Sequence, residues 1–143
     1  MLPLSAQKID TLKYCVAKAV VGVGGFDPVS YFIADKPLQG NLAITTHYDG
    51  VEYRFATVEN KSSFLEKPMK FLPQYGGWCS MTLAMGRATT PKYDNFLISN
   101  DKLFLFERTL SINGRELWLM DPKGNATLAE ATYQKHITSG RSK

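Results

Sequence analysis

Ala43-Ile44-Thr45-Thr46-His47-Tyr48-Asp49-Gly50-Val51-Glu52-Tyr53-Arg54-Phe55-Ala56 reads as a β-hairpin, and the remaining elements can be placed around it. Asp49-Gly50 supports the positive φ angles of a two-residue type I′ turn. It joins a strand over 43–48 to a return strand over 51–56. On the return strand Val51, Tyr53 and Phe55 alternate with Glu52 and Arg54, so the first set should face a core.

Upstream, Asp27-Pro28 pairs a good N-cap with a good first helical residue, which predicts a short helix over 28–33. Residues 37–40 follow as a loop. The apolar run 14–23 carries Val16, Val20, Val21 and Val23, which suit a strand, while Ala17, Lys18 and Ala19 suit a helix. Downstream, Thr57 can cap a helix over 58–67, with Asn60 at its third position. Phe64 and Leu65 would turn inward. Pro68 ends that helix or starts a second short one, and Pro73 stops the run.

Trp78 to Met85 reads as a helix closed by Gly86. Residues 87–93 are a loop. Residues 95–99 and 102–106 form a second hairpin about Asn100-Asp101, with Leu103 and Leu105 on one face and Phe104 and Phe106 on the other. Asn113-Gly114 is a turn candidate, and 115–120 is helix or strand. Residues 125–136 suit a helix, with Asn125 as cap. The pattern predicts a small α+β domain: two antiparallel hairpins forming a sheet, packed by short helices. The domain spans 13–138, between a flexible lead-in (1–12) and a flexible tail (139–143).

A chain of 143 residues with 44% hydrophobic residues can bury a core without staples. Its net charge of +4 is scattered, with no basic stripe interleaved by aromatics, so nucleic acid is not an expected partner. No run approaches the roughly 18 apolar residues of a membrane span, so the chain is not expected to cross a membrane. The two cysteines, Cys15 and Cys79, make no disulfide framework and no zinc spacing.

Gln74-Tyr75-Gly76-Gly77-Trp78-Cys79 is where chemistry is expected first. Paired glycines allow a tight turn or a close ligand approach. A thiol at a helix entrance sits where its anion is stabilised. Cys79 is thus a ligand for a soft metal or a redox thiol, or else a small buried hydrophobe. Met81 and Met85 share a helix face, and Cys with Met suits copper(I); the plainer reading is two methionines in a core. His47 is a candidate second ligand, and His136 a weaker one. Tyr31, Tyr75 and Trp78 could wall a pocket or fill the core. Asp27 is explained by capping, although it could serve as ligand or base. Cys15 could pair with Cys79 if their backbones approach. No nucleophile–base–orienter set assembles, so no catalytic residue is assigned.

Phe26-Asp27-Pro28-Val29-Ser30-Tyr31-Phe32, Tyr48-Asp49-Gly50-Val51-Glu52-Tyr53-Arg54-Phe55, residues 64–68 and Pro73-Gln74-Tyr75-Gly76-Gly77-Trp78-Cys79 occur in this order. Together, over about residues 23–107, they resemble the YHS-domain family, in its branch of small, usually exported bacterial proteins. The resemblance implies a YHS-like fold. Metal-binding members carry cysteines at positions that hold Ser30, Ala56 and Asn60 here, whereas this branch has its cysteine at Cys79. It also implies a periplasmic or otherwise exported location, in keeping with Leu2-Pro3-Leu4-Ser5-Ala6-Gln7, which resembles the end of a secretory signal. The resulting expectation is a non-enzymatic exported binding module. It would hold a copper-like soft metal ion or a small ligand around Cys79, with Tyr75, Trp78 and Tyr31 as walls and His47 and Met81 as further ligands. The alternatives are a thiol-redox protein using Cys79 and a pure protein-interaction domain with an unknown protein partner.

Overall fold

The structure is a computed structural model that describes residues 9–17 and 20–139. The expected lead-in over 1–8, the helix-favouring Lys18 and Ala19, and the tail over 140–143 lie outside the described residues. Within 9–14 the chain makes a turn: the Asp10 carboxylate accepts from the amides of Leu12 and Lys13.

The first hairpin forms as read. Strand β3 (Asn41–Tyr48) pairs antiparallel with β4 (Val51–Phe55), and Asp49 and Gly50 both take positive φ (52° and 84°). Val51, Tyr53 and Phe55 are buried. The run 14–23 is neither one strand nor a helix. It holds two short strands, β1 (Val16–Ala17) and β2 (Val21–Gly22), paired antiparallel. Strand β2 then lies parallel to β4, with Val21 opposite Glu52, giving a four-stranded mixed sheet in the order β1-β2-β4-β3. Val21 and Val23 are both buried where β2 lies against β4.

The second hairpin, β5 (Lys92–Ser99) and β6 (Lys102–Phe106), also turns through two residues with positive φ, Asn100 and Asp101. It does not join the first in one antiparallel sheet, as expected, but forms a separate two-stranded sheet. The reason lies in β6, which is apolar on both faces. Leu103 and Leu105 enter one core with Val51, Tyr53, Phe55 and Phe64. Phe106 enters a second core with Cys79, Leu83, Trp118 and Ala129, and Phe104 packs against it. A strand buried on both sides is a wall between two cores rather than an extension of a one-sided sheet.

Short helices cover both cores. Helix α1 (Ser30–Ile33) follows the Asp27-Pro28 turn, and Asp27 accepts from the amides of Val29 and Ser30. Helix α2 (Val58–Glu66) is capped by Thr57, whose side chain accepts from the Asn60 amide. Helix α3 (Pro68–Phe71) starts on Pro68. The helix expected from Trp78 begins later: a 3-10 turn (Gln74–Gly77) comes first, and α4 (Ser80–Ala84) has Cys79 as its N-cap. Gly86, at φ 98°, closes α4 as expected, with the Gly86 amide on Leu83 O and the Arg87 amide on Thr82 O. Residues 115–120 lie in a helix, α5 (Gly114–Met120), capped by Asn113. Helix α6 (Pro122–Thr138) starts three residues before the expected cap. Asp121 caps it and Asn125 instead donates to Leu117 O and Trp118 O. Among the described residues no helix is long and apolar enough to cross a membrane.

Candidate functional site

The three positions at which the family resemblance would put thiol ligands do converge, but around a carboxylate. Asp27 is fully buried. Its Oδ1 accepts from Val29 N (2.8 Å) and Ser30 N (3.2 Å). Its Oδ2 accepts from Ala56 N (2.8 Å) and Asn60 Nδ2 (2.7 Å). Ser30 Oγ donates to Asp27 O and accepts from Leu38 N. Every group aimed at the carboxylate is a donor, and a cation needs lone pairs there. These residues do not fit a metal ion; they fit a structural carboxylate joining α1, β4 and α2.

Cys79 is fully buried in the second core. Its amide donates to Thr89 O (2.9 Å), and its Sγ accepts from the amides of Thr82 (3.4 Å) and Glu107 (3.1 Å). Beside it is a cavity of about 100 Å³ that Met81 and Met85 also line. The structure thus brings both Met81 and Met85 to the cavity beside Cys79. His47 does not line this cavity; it is exposed on β3, opposite Glu52. Among the described residues no group of three or more His, Cys, Asp or Glu side chains is gathered. Cys15 and Cys79 are both free. Cys15 donates to Thr90 Oγ1, and burial pushes its thiol up.

The aromatic candidates separate. Tyr31 is buried in the first core, donates to Tyr93 O (2.6 Å) and meets Phe96 edge-on at 5.0 Å. Trp78 donates through Nε1 to Leu12 O (2.9 Å) and packs edge-on against His136 at 5.1 Å. Tyr75 points elsewhere. It lines an open groove of about 600 Å³ whose other walls the sequence did not assemble.

Five segments build that groove. The first hairpin's turn supplies Tyr48 and Asp49, α3 and the residues after it supply Met69, Leu72 and Pro73, the 3-10 turn supplies Tyr75, the N-terminal segment supplies Lys13 and Tyr14, and α6 supplies Glu130 and Tyr133. Tyr75 is aimed by its backbone, at φ 57° and ψ 38°, a left-handed conformation that costs a non-glycine residue roughly 1–2 kcal/mol. Gly76 follows at φ 63°, and a Cβ there would collide with Lys13 O. The Tyr75 ring meets Phe104 at 6.2 Å and Tyr133 at 5.9 Å, the latter edge-on.

The polar groups around it are partly engaged. Tyr14 donates to Asp49 Oδ2 at 2.6 Å, and Lys13 Nζ is 3.4 Å from the same oxygen. The Tyr14 hydroxyl, and then Lys13, hold the Asp49 carboxyl below its ordinary range. Tyr133 donates to Lys13 O (2.8 Å), and Tyr48 to Met69 Sδ (3.3 Å). Burial, with Glu130 nearby, pushes Tyr75 and Tyr133 up to about 12, so both stay neutral donors at physiological pH. The Tyr75 hydroxyl has no hydrogen-bond partner among the described residues.

No family model matches the chain, and neither curated proteins nor solved structures give a match.

Proposed function

We propose that this protein is a non-enzymatic binding module whose small ligand lies in the tyrosine-lined groove. The observation that carries this reading is the strained Tyr75 backbone. It carries a ring that packs on the second core and also lines an open groove, with a hydroxyl that no described residue engages. Local strain of this kind is kept where the surroundings over-determine it, and such places cluster at ligand sites. The YHS-like assignment and the exported location belong to the same proposal. The first is supported by Ser30, Ala56 and Asn60 converging on Asp27; the second rests on the resemblance alone.

A fragment panel followed by amide NMR tests it. Ligands should shift Tyr48, Tyr75, Tyr133 and their neighbours, and Tyr75→Ala should weaken them about tenfold by removing one ring wall. Shifts confined to other surfaces would refute it.

One observation favours a second reading, a soft-metal site: a thiol and two thioethers, Cys79, Met81 and Met85, line one cavity. Anaerobic copper(I) binding, lost in both Cys79→Ser and Met81→Leu, would support it. Binding that survives both changes would remove it. Full burial of Cys79 weighs against the thiol-redox alternative, which needs an accessible sulfur.

A further inference from the structure

The charges in the groove point to the class of ligand, and this step rests on the groove being the binding site. Two carboxylates, Asp49 and Glu130, face one ammonium, Lys13, although the whole chain carries net +4. Asp49 is already matched by Lys13 and by the Tyr14 hydroxyl. Glu130 is not: Oε1 accepts from the neutral Gln134 amide at 2.9 Å, and no cation pairs with Glu130 among the described residues. Glu130 is close enough to the Tyr75 and Tyr133 hydroxyls to raise both. Those two rings meet at 67°, forming a corner in the groove that the Glu130 carboxylate also lines.

The groove already holds one cation in this manner. Lys13 Nζ sits 5.2 Å from the centre of the Tyr14 ring while it faces Asp49. An aromatic face next to a carboxylate is the arrangement that attracts an ammonium group, and most strongly one too bulky to stay well hydrated. We propose that the groove takes a small organic ammonium compound, with the charged head in the Tyr75–Tyr133 corner against Glu130 and the uncharged body along Leu72 and Pro73.

The test compares choline with its uncharged isostere 3,3-dimethylbutan-1-ol by NMR titration of the full chain. Choline should bind about tenfold more tightly than the alcohol. Glu130→Gln should remove that advantage and leave the alcohol unchanged. Glu130 is exposed, so this change does not threaten folding. Equal binding of the two probes, or a choline advantage that survives Glu130→Gln, would overturn the proposal. If neither probe binds while neutral fragments still shift the groove, the ammonium class fails and the groove stands. If the groove shifts with no compound at all, both readings fall.

Discussion

Gly76 and Gly86 both hold positive φ, at 63° and 98°, but their surroundings differ. A Cβ at Gly86 meets nothing within 4 Å, whereas one at Gly76 runs into Lys13 O. Gly86→Ala should therefore cost only the backbone term, about 1 kcal/mol, and Gly76→Ala more than about 3 kcal/mol in denaturant unfolding. Equal costs would mean that the N-terminal segment can move away from Gly76. Ser80 presents the opposite case. It is fully buried and its hydroxyl has no hydrogen-bond partner among the described residues. Ser80→Ala should stabilise the protein by about 1 kcal/mol, because it removes a desolvated polar group. A loss of stability instead would point to a buried water on that oxygen. Asp49 supplies the pH dependence at this scale. Its folded carboxyl titrates below the unfolded one, chiefly because Tyr14 donates to it. The native state binds fewer protons, so this stabilisation is complete above about pH 4 and is lost as pH falls through the folded value. Half exposure keeps it small and salt-sensitive. Tyr14→Phe should move the Asp49 titration, followed on its carboxyl carbon, up towards the ordinary range; an unmoved titration would assign the shift to Lys13.

At the scale of elements, β6 is what divides the molecule. Leu105 and Phe106 are adjacent, fully buried, and belong to different cores. Leu105→Ala should cost about 2–5 kcal/mol and Phe106→Ala about 3–5 kcal/mol. Because the cavities open on opposite faces, the losses should add to within about 0.5 kcal/mol. A large coupling energy would show that the strand shifts as a unit and that the two cores act as one. The local pattern foretold the elements but not this division. Asp49-Gly50 and Asn100-Asp101 were legible because a type I′ turn demands particular residues at particular places. Thr57 and Gly86 were legible as helix ends for the same reason. Asp121-Pro122 carries the same N-terminal signal as Asp27-Pro28, and it rather than Asn125 caps α6. The pairing of β2 with β4, and the two-sided burial of β6, depend on which surfaces meet, and alternation alone cannot report that. The site divides in the same way. Tyr75 stood out through the glycines beside it, while Lys13, Tyr14, Glu130 and Tyr133 reach the groove only through contacts between distant parts of the chain.

Across the whole molecule, the segment 10–15 ties the two cores together and floors the groove. The Tyr14 ring is buried in the first core, and its hydroxyl reaches the hairpin turn at Asp49. The Cys15 amide donates to Gly76 O at 2.9 Å. Trp78 and Tyr133, both packed on the second core, donate to Leu12 O and Lys13 O. Two side chains from one core thus hold backbone carbonyls of a segment whose own ring is buried in the other. Replacing both donors, Trp78→Phe with Tyr133→Phe, removes the two hydrogen bonds; the Tyr133 ring stays, while the Trp78 indole shrinks to a single ring. Global stability should fall by at least about 2 kcal/mol, near 1 for each bond, with the lost indole packing added to it. The sharper expectation concerns hydrogen exchange at the Cys15 amide. If the segment can lift away by itself, that amide should lose more protection than the most protected core amides do, because a local opening has become cheaper than global unfolding. Ligands of the groove should weaken in step, since Lys13 and Tyr14 leave with the segment. If Cys15 exchanges only in proportion to global stability, the segment opens only when the molecule unfolds. The groove is then as rigid as the cores that flank it.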